Sequence, residues 1–437
     1  MQTTTALDLG DIQGLVLRGY RMPHAAYLFH RFTDARAARA WLAGLVEPVT
    51  TALEWDATPA WCANVGLTFP GLEALGLPAE SLASFPDDFR QGMAARAATA
   101  LRDVDEDLPD HWQPVPPFAD RGVHALLMLF AHDEQLLDRQ VRAFGERAAV
   151  GGLEAVGTER ADALGGTRAG REHFGFRDGI SQPVLSGSGL ADTPGRQPVA
   201  AGEFLLGHPD ELGAVRLTTP DELGRNGTYA VYRKLAQDVP AFRGFLRDNG
   251  RADPDLLAAK LMGRWPSGAP LTLTGDADDA ELATDPQRNN AFDYADDARG
   301  YRCPRAAHVR RALPRTGSIA QRRHLLVRRG LPYGPALEDA RPDDGADRGL
   351  IGVFLNASIE RQYEFVQREW INSPRFDGLR NEPDPIAGPG AGDFTVQGRP
   401  LPRRYRSLPR FVTVRGGEYF FLPSITALRF LSDTSTS

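Results

Sequence analysis

Cysteine is scarce in this 437-residue chain. Its two cysteines, Cys62 and Cys303, lie far apart, whereas a secreted fold held together by disulfides usually has more. We therefore expect both thiols to be reduced. Hydrophobic residues make up 42% and charged residues 24% of the chain, near the averages for globular proteins. This composition excludes disordered, collagen-like and fibrous classes.

Lysine is also rare, and basic residues form no block. Lys234 and Lys260 are the only lysines, so arginine supplies nearly all of the positive charge and a single arginine carries little information. The chain has 50 basic against 57 acidic residues, a net charge of -7. Without a cluster that could neutralise a phosphate backbone, we expect no nucleic-acid partner.

Long apolar runs are missing as well. No stretch approaches the roughly 20 residues needed to cross a bilayer. The amino terminus, Met1 to Gly10, has no basic region followed by an apolar run. These features predict a cytoplasmic protein with no membrane partner.

The order of elements indicates an α+β protein. In the first half, a strand at Ala25 to Phe32 precedes a helix at Asp34 to Leu45 capped by Thr33, and a strand at Val123 to Ala131 precedes a helix at Glu134 to Phe144. A chain of this length favours two domains. A stretch rich in Gly, Ser, Asp and Pro places their boundary near residue 195, giving domains 1–195 and 196–437.

The second half mixes strands and helices without regular βαβ order. We predict strands at His324 to Arg329 and Leu350 to Leu355, and a helix at Ile359 to Ile371. Gly416-Gly417 predicts a hairpin between two further strands. The Pro- and Gly-rich segment from Asn372 to Leu408 is long enough to indicate that it covers a site or wraps another part of the fold.

One candidate acid lies between glycines and aromatics, in the stretch from Phe174 to Pro183. Asp178-Gly179 on its own is typical of a turn. The functional interpretation is a carboxylate held on a tight loop in an otherwise apolar pocket without cationic partners, available for general acid-base catalysis.

His308 is the candidate metal ligand. It follows Pro304, placed where a helix can start, and Ala306 and Ala307, whose small side chains leave space for a flat ligand beside the imidazole. The nine histidines show no HExxH or clustered Cys/His spacing, which disfavours a zinc enzyme. A haem iron, by contrast, needs only one protein ligand.

Two neighbouring arginines end an apolar strand before a turn. Alternation along the strand places Arg328 on one face and Arg329 on the other, so only one can point into a pocket. Periodicity alone does not choose between them. The P-loop, the strand-bound GxGxxG and the GxSxG elbow are absent.

Taken together, several segments resemble the dye-decolourising peroxidases, especially their longer bacterial and fungal branch, over nearly the whole chain. The family's GxxDG signature stands at Gly175 to Gly179. The other similar stretches are Asp11 to Gly14, Asn226 to Leu235, Gly263 to Leu271, Cys303 to Arg315, Leu325 to Gly334 and Phe411 to Leu422.

The resemblance implies an α+β fold in which two ferredoxin-like halves form a β-rich core with peripheral helices, the dimeric α+β barrel type. It implies one haem b per chain, hydrogen peroxide as oxidant and aromatic or dye reductants, in a monomer or homo-oligomer. The absence of CxxCH agrees with haem that is not covalently attached.

Residue by residue, the resemblance makes His308 the iron ligand, Asp178 the distal acid and Arg328 the distal cation. It makes Arg315 a weaker candidate for a haem propionate contact. Some relatives carry Asn where this chain has Gly330, so water would complete the distal polar set here.

Several alternatives stay open from the sequence. The protein could be a haem carrier or deferrochelatase-like protein that uses the same His308, or a structural protein on the same scaffold. Glu364 and Asp384 are both candidates to orient His308. Four aromatic residues are candidates to relay electrons to the surface: Trp265, Tyr333, Tyr363 and Trp370.

Overall fold

A single large antiparallel sheet organises the chain. The computed structural model describes residues 6–191, 197–250, 253–339 and 341–433. The sheet has eight strands in the order β4-β1-β3-β2-β10-β5-β7-β6, and a separate ribbon has two, β8 and β9. The strands are β1 His24–Phe32, β2 Trp61–Leu67, β3 Ala125–Ala131, β4 Leu153–Asp162, β5 Thr228–Gln237, β6 Val327–Tyr333, β7 Gly349–Asn356, β8 Phe394–Val396, β9 Arg403–Tyr405 and β10 Val412–Leu422.

The two halves of this sheet repeat one topology. In the first half the strands lie side by side in the order β4-β1-β3-β2, so the fourth strand along the chain is followed by the first, third and second. In the second half the order is β10-β5-β7-β6, which is the same arrangement. The halves join where Phe421 of β10 pairs with Leu67 of β2. This repeat is the arrangement of two ferredoxin-like halves around a β-rich core that was predicted.

The sheet curls until its edge strands β4 and β6 come into contact. Near this closure, the ammonium of Lys234 on β5 lies 2.8 Å from both carboxylate oxygens of Glu159 on β4. The same ammonium stands 4.7 Å from the ring centroid of Tyr333 on β6. One of the two lysines thus links three strands where the barrel closes.

Helices surround the sheet. The α-helices are α1 Gly14–Leu17, α2 Ala35–Ala43, α3 Phe69–Ala74, α4 Ala79–Ala83, α5 Asp87–Gln91, α6 Met93–Arg96, α7 Glu134–Val150, α8 Asp221–Gly224, α9 Val239–Asn249, α10 Pro254–Met262, α11 Leu271–Thr274, α12 Ala280–Thr284, α13 His308–Ala312, α14 Ile319–Arg322 and α15 Ile425–Ser432. Wider, π-type turns form Ala97–Leu101, Glu360–Glu364 and Val366–Ile371. Short 3₁₀ turns are Asp105–Asp107, Pro109–His111, Gly166–Arg168, Ala201–Glu203, Ala295–Asp297 and Phe376–Gly378.

Two local predictions were wrong. The helix α2 is capped by Asp34, whose carboxylate accepts a hydrogen bond from the Ala37 amide at 2.8 Å, and not by Thr33. Gly416 and Gly417 form no hairpin, because β10 continues through both residues. It pairs with β5 on either side of a bulge between Val414 and Gly416. These glycines allow close packing: a Cβ at Gly417 would lie 2.5 Å from the sulfur of Met93.

The largest hydrophobic core contains side chains from both halves of the sheet, including Leu28 and Leu127 from the first and Val231 and Phe420 from the second. A second cluster packs α9 and α10 against the 394–412 region, with Phe242 and Phe411 near its centre. The predicted domain boundary at 195–196 lies outside the described residues and stays a prediction.

Gly349 offers a test of the sheet. An alanine Cβ there would lie 1.9 Å from the Leu235 carbonyl oxygen of the paired strand, so Gly349→Ala should destabilise the protein by about 1–3 kcal/mol through overpacking. Gly145 in α7 has no atom within 4 Å of such a Cβ, so Gly145→Ala should be neutral or stabilise by up to about 1 kcal/mol. Urea unfolding midpoints measure both effects. Equal midpoints for the two variants would contradict this account of β5–β7 packing.

Candidate active site

A buried carboxylate shapes the loop that carries Asp178. Glu172 accepts hydrogen bonds from the backbone amides of Phe174 at 2.9 Å and Phe176 at 2.8 Å, and from the side chain of Gln237 on β5 at 2.6 Å. Burial raises the pKa of Glu172 above its ordinary value despite these donors. Sequence reasoning missed this residue, although a Glu two residues before an aromatic-glycine turn is a recognisable candidate for such a role.

Asp178 lies at the tip of this loop. Its Oδ1 accepts the amide hydrogen of Gly179 at 2.6 Å, and Gly179 has a φ of +74°, a conformation that favours glycine. The side chain is 52% exposed, and Arg328 Nη1 lies 3.7 Å from Oδ1. The expectation of an apolar pocket without cationic partners was therefore wrong. Among the described residues, the side-chain hydrogen bonds of Asp178 involve Oδ1 alone, so Oδ2 accepts none there.

The two arginines on β6 face different elements, as strand alternation predicted. Arg328 points toward the Asp178 loop and donates to the Ser181 carbonyl at 3.2 Å. Arg329 points away and donates to the Leu15 carbonyl on α1 at 2.9 Å, where burial lowers its pKa to about 10. The geometry thus pairs Asp178 with Arg328, not with Arg329.

Gln182 couples the loop to the strand. Its side-chain amide donates to the Arg328 carbonyl and its side-chain oxygen accepts from the Arg328 amide, both at 3.0 Å. This two-point contact mimics strand pairing at the edge of the sheet. It sets the position of the Arg328 backbone relative to Asp178, and sequence patterns gave no sign of it.

Gly330 follows on the same strand and pairs with Gly352 of β7. A Cβ at position 330 would lie 2.7 Å from the Ile351 carbonyl oxygen. A side chain at this point of the chain would therefore require β6 and β7 to shift locally.

His308 is the first residue of α13, so the helix begins four residues later than Pro304 suggested. Its Nδ1 lies 2.9 Å from Oδ2 of Asp384, whose side chain is fully buried. Burial alone would lower the pKa of His308, but the Asp384 carboxylate reverses this and the pKa lies above its ordinary value. The preceding Ala306 and Ala307 are fully buried in two core clusters, so their small size serves packing.

Asp384 comes from the long 372–408 segment, which was predicted to cover a site. Burial would raise the pKa of this carboxyl, but contacts with His308, the nearby Arg311 and backbone amides hold it below the ordinary range. The Ile386 and Ala387 amides both donate to Oδ1 at 2.9 Å. Of the two candidate partners for His308, Asp384 is therefore the one in contact. Glu364 instead binds Arg96 and the Tyr419 hydroxyl.

Arg311 secures the same segment. Its guanidinium donates to three backbone carbonyls, those of Trp370 at 2.5 Å, Ser373 at 2.7 Å and Glu382 at 2.8 Å. Burial lowers the pKa of Arg311 to about 10. One turn of α13 thus supplies both the imidazole and the anchor of the loop that orients it.

The three principal candidates, His308, Asp178 and Arg328, lie close enough for their charges to interact. The charges of Arg328 and Asp178 both act on His308, the first lowering and the second raising the pKa of the imidazole. The remaining hydrogen-bonding atom of the ring is Nε2, because the ring bonds of His308 among the described residues involve Nδ1 alone. An imidazole whose Nδ1–H faces a carboxylate offers its Nε2 lone pair to a metal.

A buried cationic group lies beside this site. Arg315 donates to Asn290 and Phe292, and its guanidinium carbon stands 3.8 Å from the Phe292 ring centroid. Arg264 faces the same ring at 5.4 Å, and burial followed by repulsion from Arg315 lowers the pKa of Arg264 to about 9. Neither arginine forms an ion pair with a carboxylate in the described part of the chain, a donor set that suits an anionic ligand group.

The four relay candidates differ in exposure. Trp265, Tyr333 and Tyr363 are each at most 5% exposed, and all three donate or receive side-chain hydrogen bonds. Trp370 is half-buried and meets the stacked rings of His324 and Phe365 edge-on at 5.5 and 5.6 Å. Of these four, only Trp370 reaches the surface.

Comparisons with known proteins agree with this geometry. Residues 11–154 match the family model described as the DyP dimeric alpha+beta barrel domain. A dye-decolorizing peroxidase of Exidia glandulosa is 32% identical, with 97% of this chain and 87% of the relative covered. The chain belongs to the dye-decolorizing peroxidases.

This peroxidase is similar to bacterial as well as fungal members. The multifunctional dye peroxidase DyP2 of Amycolatopsis sp. is 30% identical over 98% of this chain and 97% of the relative. A solved dye-decolorizing peroxidase in complex with 2,6-dimethoxyphenol superposes with a TM-score of 0.87 at 30% identity, covering 98% of this chain and 100% of that chain. The predicted α+β barrel fold is thereby confirmed.

Within residues 6–191, 197–250, 253–339 and 341–433, no group of three or more His, Cys, Asp or Glu side chains could hold a bare metal ion. In those same ranges, no helix is both long and apolar enough to cross a bilayer.

The Asp384 contact leads to a prediction for the haem-free protein. Asp384→Asn removes the negative charge beside Nδ1, so the pKa of His308 should fall. NMR titration of the imidazole C–H signals measures this shift. Glu364→Gln, which removes a buried carboxylate elsewhere, should leave that pKa unchanged.

The contact between His308 and Asp384 also makes the free energy of unfolding depend on pH. The raised pKa of His308 stabilises the fold below its unfolded value of about 6.5, and this contribution disappears as pH rises through the higher folded value. The lowered pKa of Asp384 stabilises the fold above about 3.9 and is lost as pH falls through the lower folded value. The decrease in the free energy of unfolding that Asp384→Asn causes through this pair should therefore be largest near pH 4–6. A decrease that grows above pH 8 in urea unfolding would contradict this account of the pair.

Proposed function

We propose that this peroxidase binds one haem b through His308 and that Asp178 and Arg328 handle hydrogen peroxide, with dyes, phenols and other aromatic compounds as reductants. The observation that supports this most directly is the grouping of an oriented imidazole with a carboxylate–guanidinium pair. The family membership supports the same reaction. The cytoplasmic location and the oligomeric state, monomer or homo-oligomer, stay predictions.

The residues present fit a haem. Its iron needs one protein ligand, and Nε2 of His308 is available on a ring oriented by Asp384. Its propionates are anionic, and Arg315, with Arg264 beside it, supplies positive charge that has no carboxylate partner in the described chain. Arg315 already donates to Asn290 and Phe292, so its contribution would be mainly electrostatic.

Haem, when bound, supplies the redox chemistry that uses peroxide as the oxidant. The protein supplies proton transfer and charge. Oδ2 of Asp178 takes the proton from one peroxide oxygen and delivers it to the other, a role that typically contributes a factor of about 10² to 10⁴. The guanidinium of Arg328 stabilises the negative charge that develops on the departing oxygen.

The phenol complex reported for a solved relative supports aromatic reductants for this chain. A haem carrier or deferrochelatase-like protein would need His308 but gives no role to the Asp178–Arg328 pair. That pair therefore favours peroxide chemistry over simple haem storage. A purely structural role would require neither site.

The direct test is the absorption spectrum of the haem-reconstituted protein before and after one equivalent of peroxide. We expect a Soret band that changes rapidly on mixing and recovers on addition of a phenol. His308→Ala should lose or badly weaken haem binding, since the axial ligand is removed. Full haem retention with an unchanged ferric spectrum in that variant would contradict the ligand assignment, and loss of iron without turnover would favour the carrier.

Asp178→Asn keeps the size and turn chemistry of the residue but removes the base. Haem should still bind, while the spectral change after peroxide should slow by at least roughly 10² in stopped-flow mixing. A variant that reacts at the parental rate would leave Asp178 as a turn residue only.

Arg328 and Arg329 form a matched pair for the cation. Both are arginines on β6, but only Arg328 lies beside Asp178. Arg328→Leu should reduce peroxide-driven turnover by about 10²-fold, the scale seen when one preorganised donor is removed, and Arg329→Leu should reduce it less. A larger loss in Arg329→Leu would reverse the assignment.

A further inference from the structure

An exposed tyrosine outside the peroxide site is flanked by two arginines. Tyr301 is 39% exposed, and the guanidinium carbon of Arg399 stands 5.0 Å from its ring centroid. Arg399 and Arg299, which precedes Tyr301 by two residues, are both exposed, and interactions with the two guanidiniums lower the pKa of Tyr301 below its ordinary value. The ring, its polar edge and two cations therefore face solvent together.

The charges of Arg299 and Arg399 are not neutralised by a carboxylate in the described part of the chain. Neither side chain forms an ion pair there, in contrast to the neighbouring Arg305, which pairs with Asp377. On a protein with a net charge of -7, two such arginines beside one exposed ring make a local positive patch. Leu401, 79% exposed two residues after Arg399, adds apolar surface.

The local backbone holds the two segments of the patch together. The Arg305 amide donates to Oε1 of Gln397 at 3.2 Å, which joins the segment around Tyr301 to the segment around Arg399. Gly300, with a φ of +75°, allows these two segments of the chain to lie close together, because a Cβ there would lie 2.8 Å from the same Gln397 oxygen. The patch is therefore built at a junction with a defined geometry.

The patch also belongs to the segment that supplies the imidazole. From the exposed Tyr301 the chain turns inward through the fully buried Cys303 and Ala307 to His308. A molecule seated at Tyr301 thus lies at the surface end of the segment whose inner end carries the proposed iron ligand.

We propose that Arg299, Tyr301 and Arg399 form a surface docking site for aromatic anions, such as aryl sulfonates and aryl carboxylates. The aromatic ring of the ligand packs against Tyr301 and Leu401, and its anionic group meets the two guanidiniums. Binding itself is independent of the proposed function. The use of bound anions as reducing substrates rests on that function.

The test is calorimetric titration of the haem-loaded protein with 2-naphthalenesulfonate, which measures binding without turnover. Arg299→Gln and Arg399→Gln should each raise Kd about two- to fivefold, as expected for exposed charge pairs, and the double variant should raise it about tenfold. Affinity should weaken as salt rises. Tyr301→Ala should weaken binding by roughly two- to tenfold, whereas Tyr301→Phe, which keeps the ring, should stay within about twofold.

Arg139→Gln is the matched control, since Arg139 is an exposed arginine on α7 with the same charge. It should leave Kd unchanged, and neutral 2-naphthol should bind with no dependence on either arginine of the patch. Absence of saturable binding, or an equal effect of Arg139→Gln and Arg399→Gln, would overturn the proposal.

A turnover measurement separates the site from the proposed function. With peroxide present, Arg299→Gln/Arg399→Gln should raise KM for an anionic dye and leave KM for a neutral phenol unchanged. If binding depends on the patch but the wild type shows no turnover with peroxide, the proposed function fails and the docking site stands. If turnover is normal but KM for the anionic dye is unaffected in the double variant, the docking site is not used and the inference is wrong.

Discussion

The rest of the candidate site depends on keeping one carboxylate charged inside the protein. Asp384 is fully buried, and an unpaired charge in such a position would be expensive. His308, two backbone amides and the nearby Arg311 offset that cost, and each of these groups fixes part of the surrounding chain. The short helix α13, the start of the 372–408 segment and the orientation of the imidazole are therefore parts of one electrostatic arrangement.

The proposed peroxide side, with Asp178 and Arg328, is built differently, from exposed groups held by their backbones. Asp178 is placed by the turn that Glu172 organises, and Arg328 by a strand at the edge of the sheet. Gln182 connects the two through paired hydrogen bonds to the Arg328 backbone. A buried charge thus sets one side of the site and backbone geometry the other, so substitutions on the two sides should perturb different properties.

Much of the fold, and the choice of candidate site residues, could be predicted from sequence. Strand and helix periodicity located β1, β3 and β7 to within two residues and the start of α7. The resemblance of motifs singled out Asp178, His308 and Arg328, whose roles stay predictions. Strand alternation separated Arg328 from Arg329 before their contacts were seen. Patterns of local sequence were sufficient wherever the determining contacts are local.

The features that could not be predicted from sequence all depend on contacts between distant parts of the chain. The choice of Asp384 over Glu364 depends on a contact between residues 76 apart in the chain, which no local pattern encodes. Gly416-Gly417 has the composition of a turn, yet the strand continues because Met93 and Phe118 pack against the space where side chains would be. Gln182 and Arg311 act through backbone groups of distant segments, so their residue type alone carried no information.

The position of β10 has a consequence for how the chain is made. This strand follows both of its neighbours in the sequence, yet it lies in the middle of the sheet, between β2 of the first half and β5 of the second. Until residues 412–422 emerge, both neighbours present unpaired edges, and the core that spans the halves cannot close. The first half has all four of its own strands by then, so the second half and the junction between the halves are what stay incomplete. The edges of β2 and β5 remain open to pairing with other chains until β10 is made.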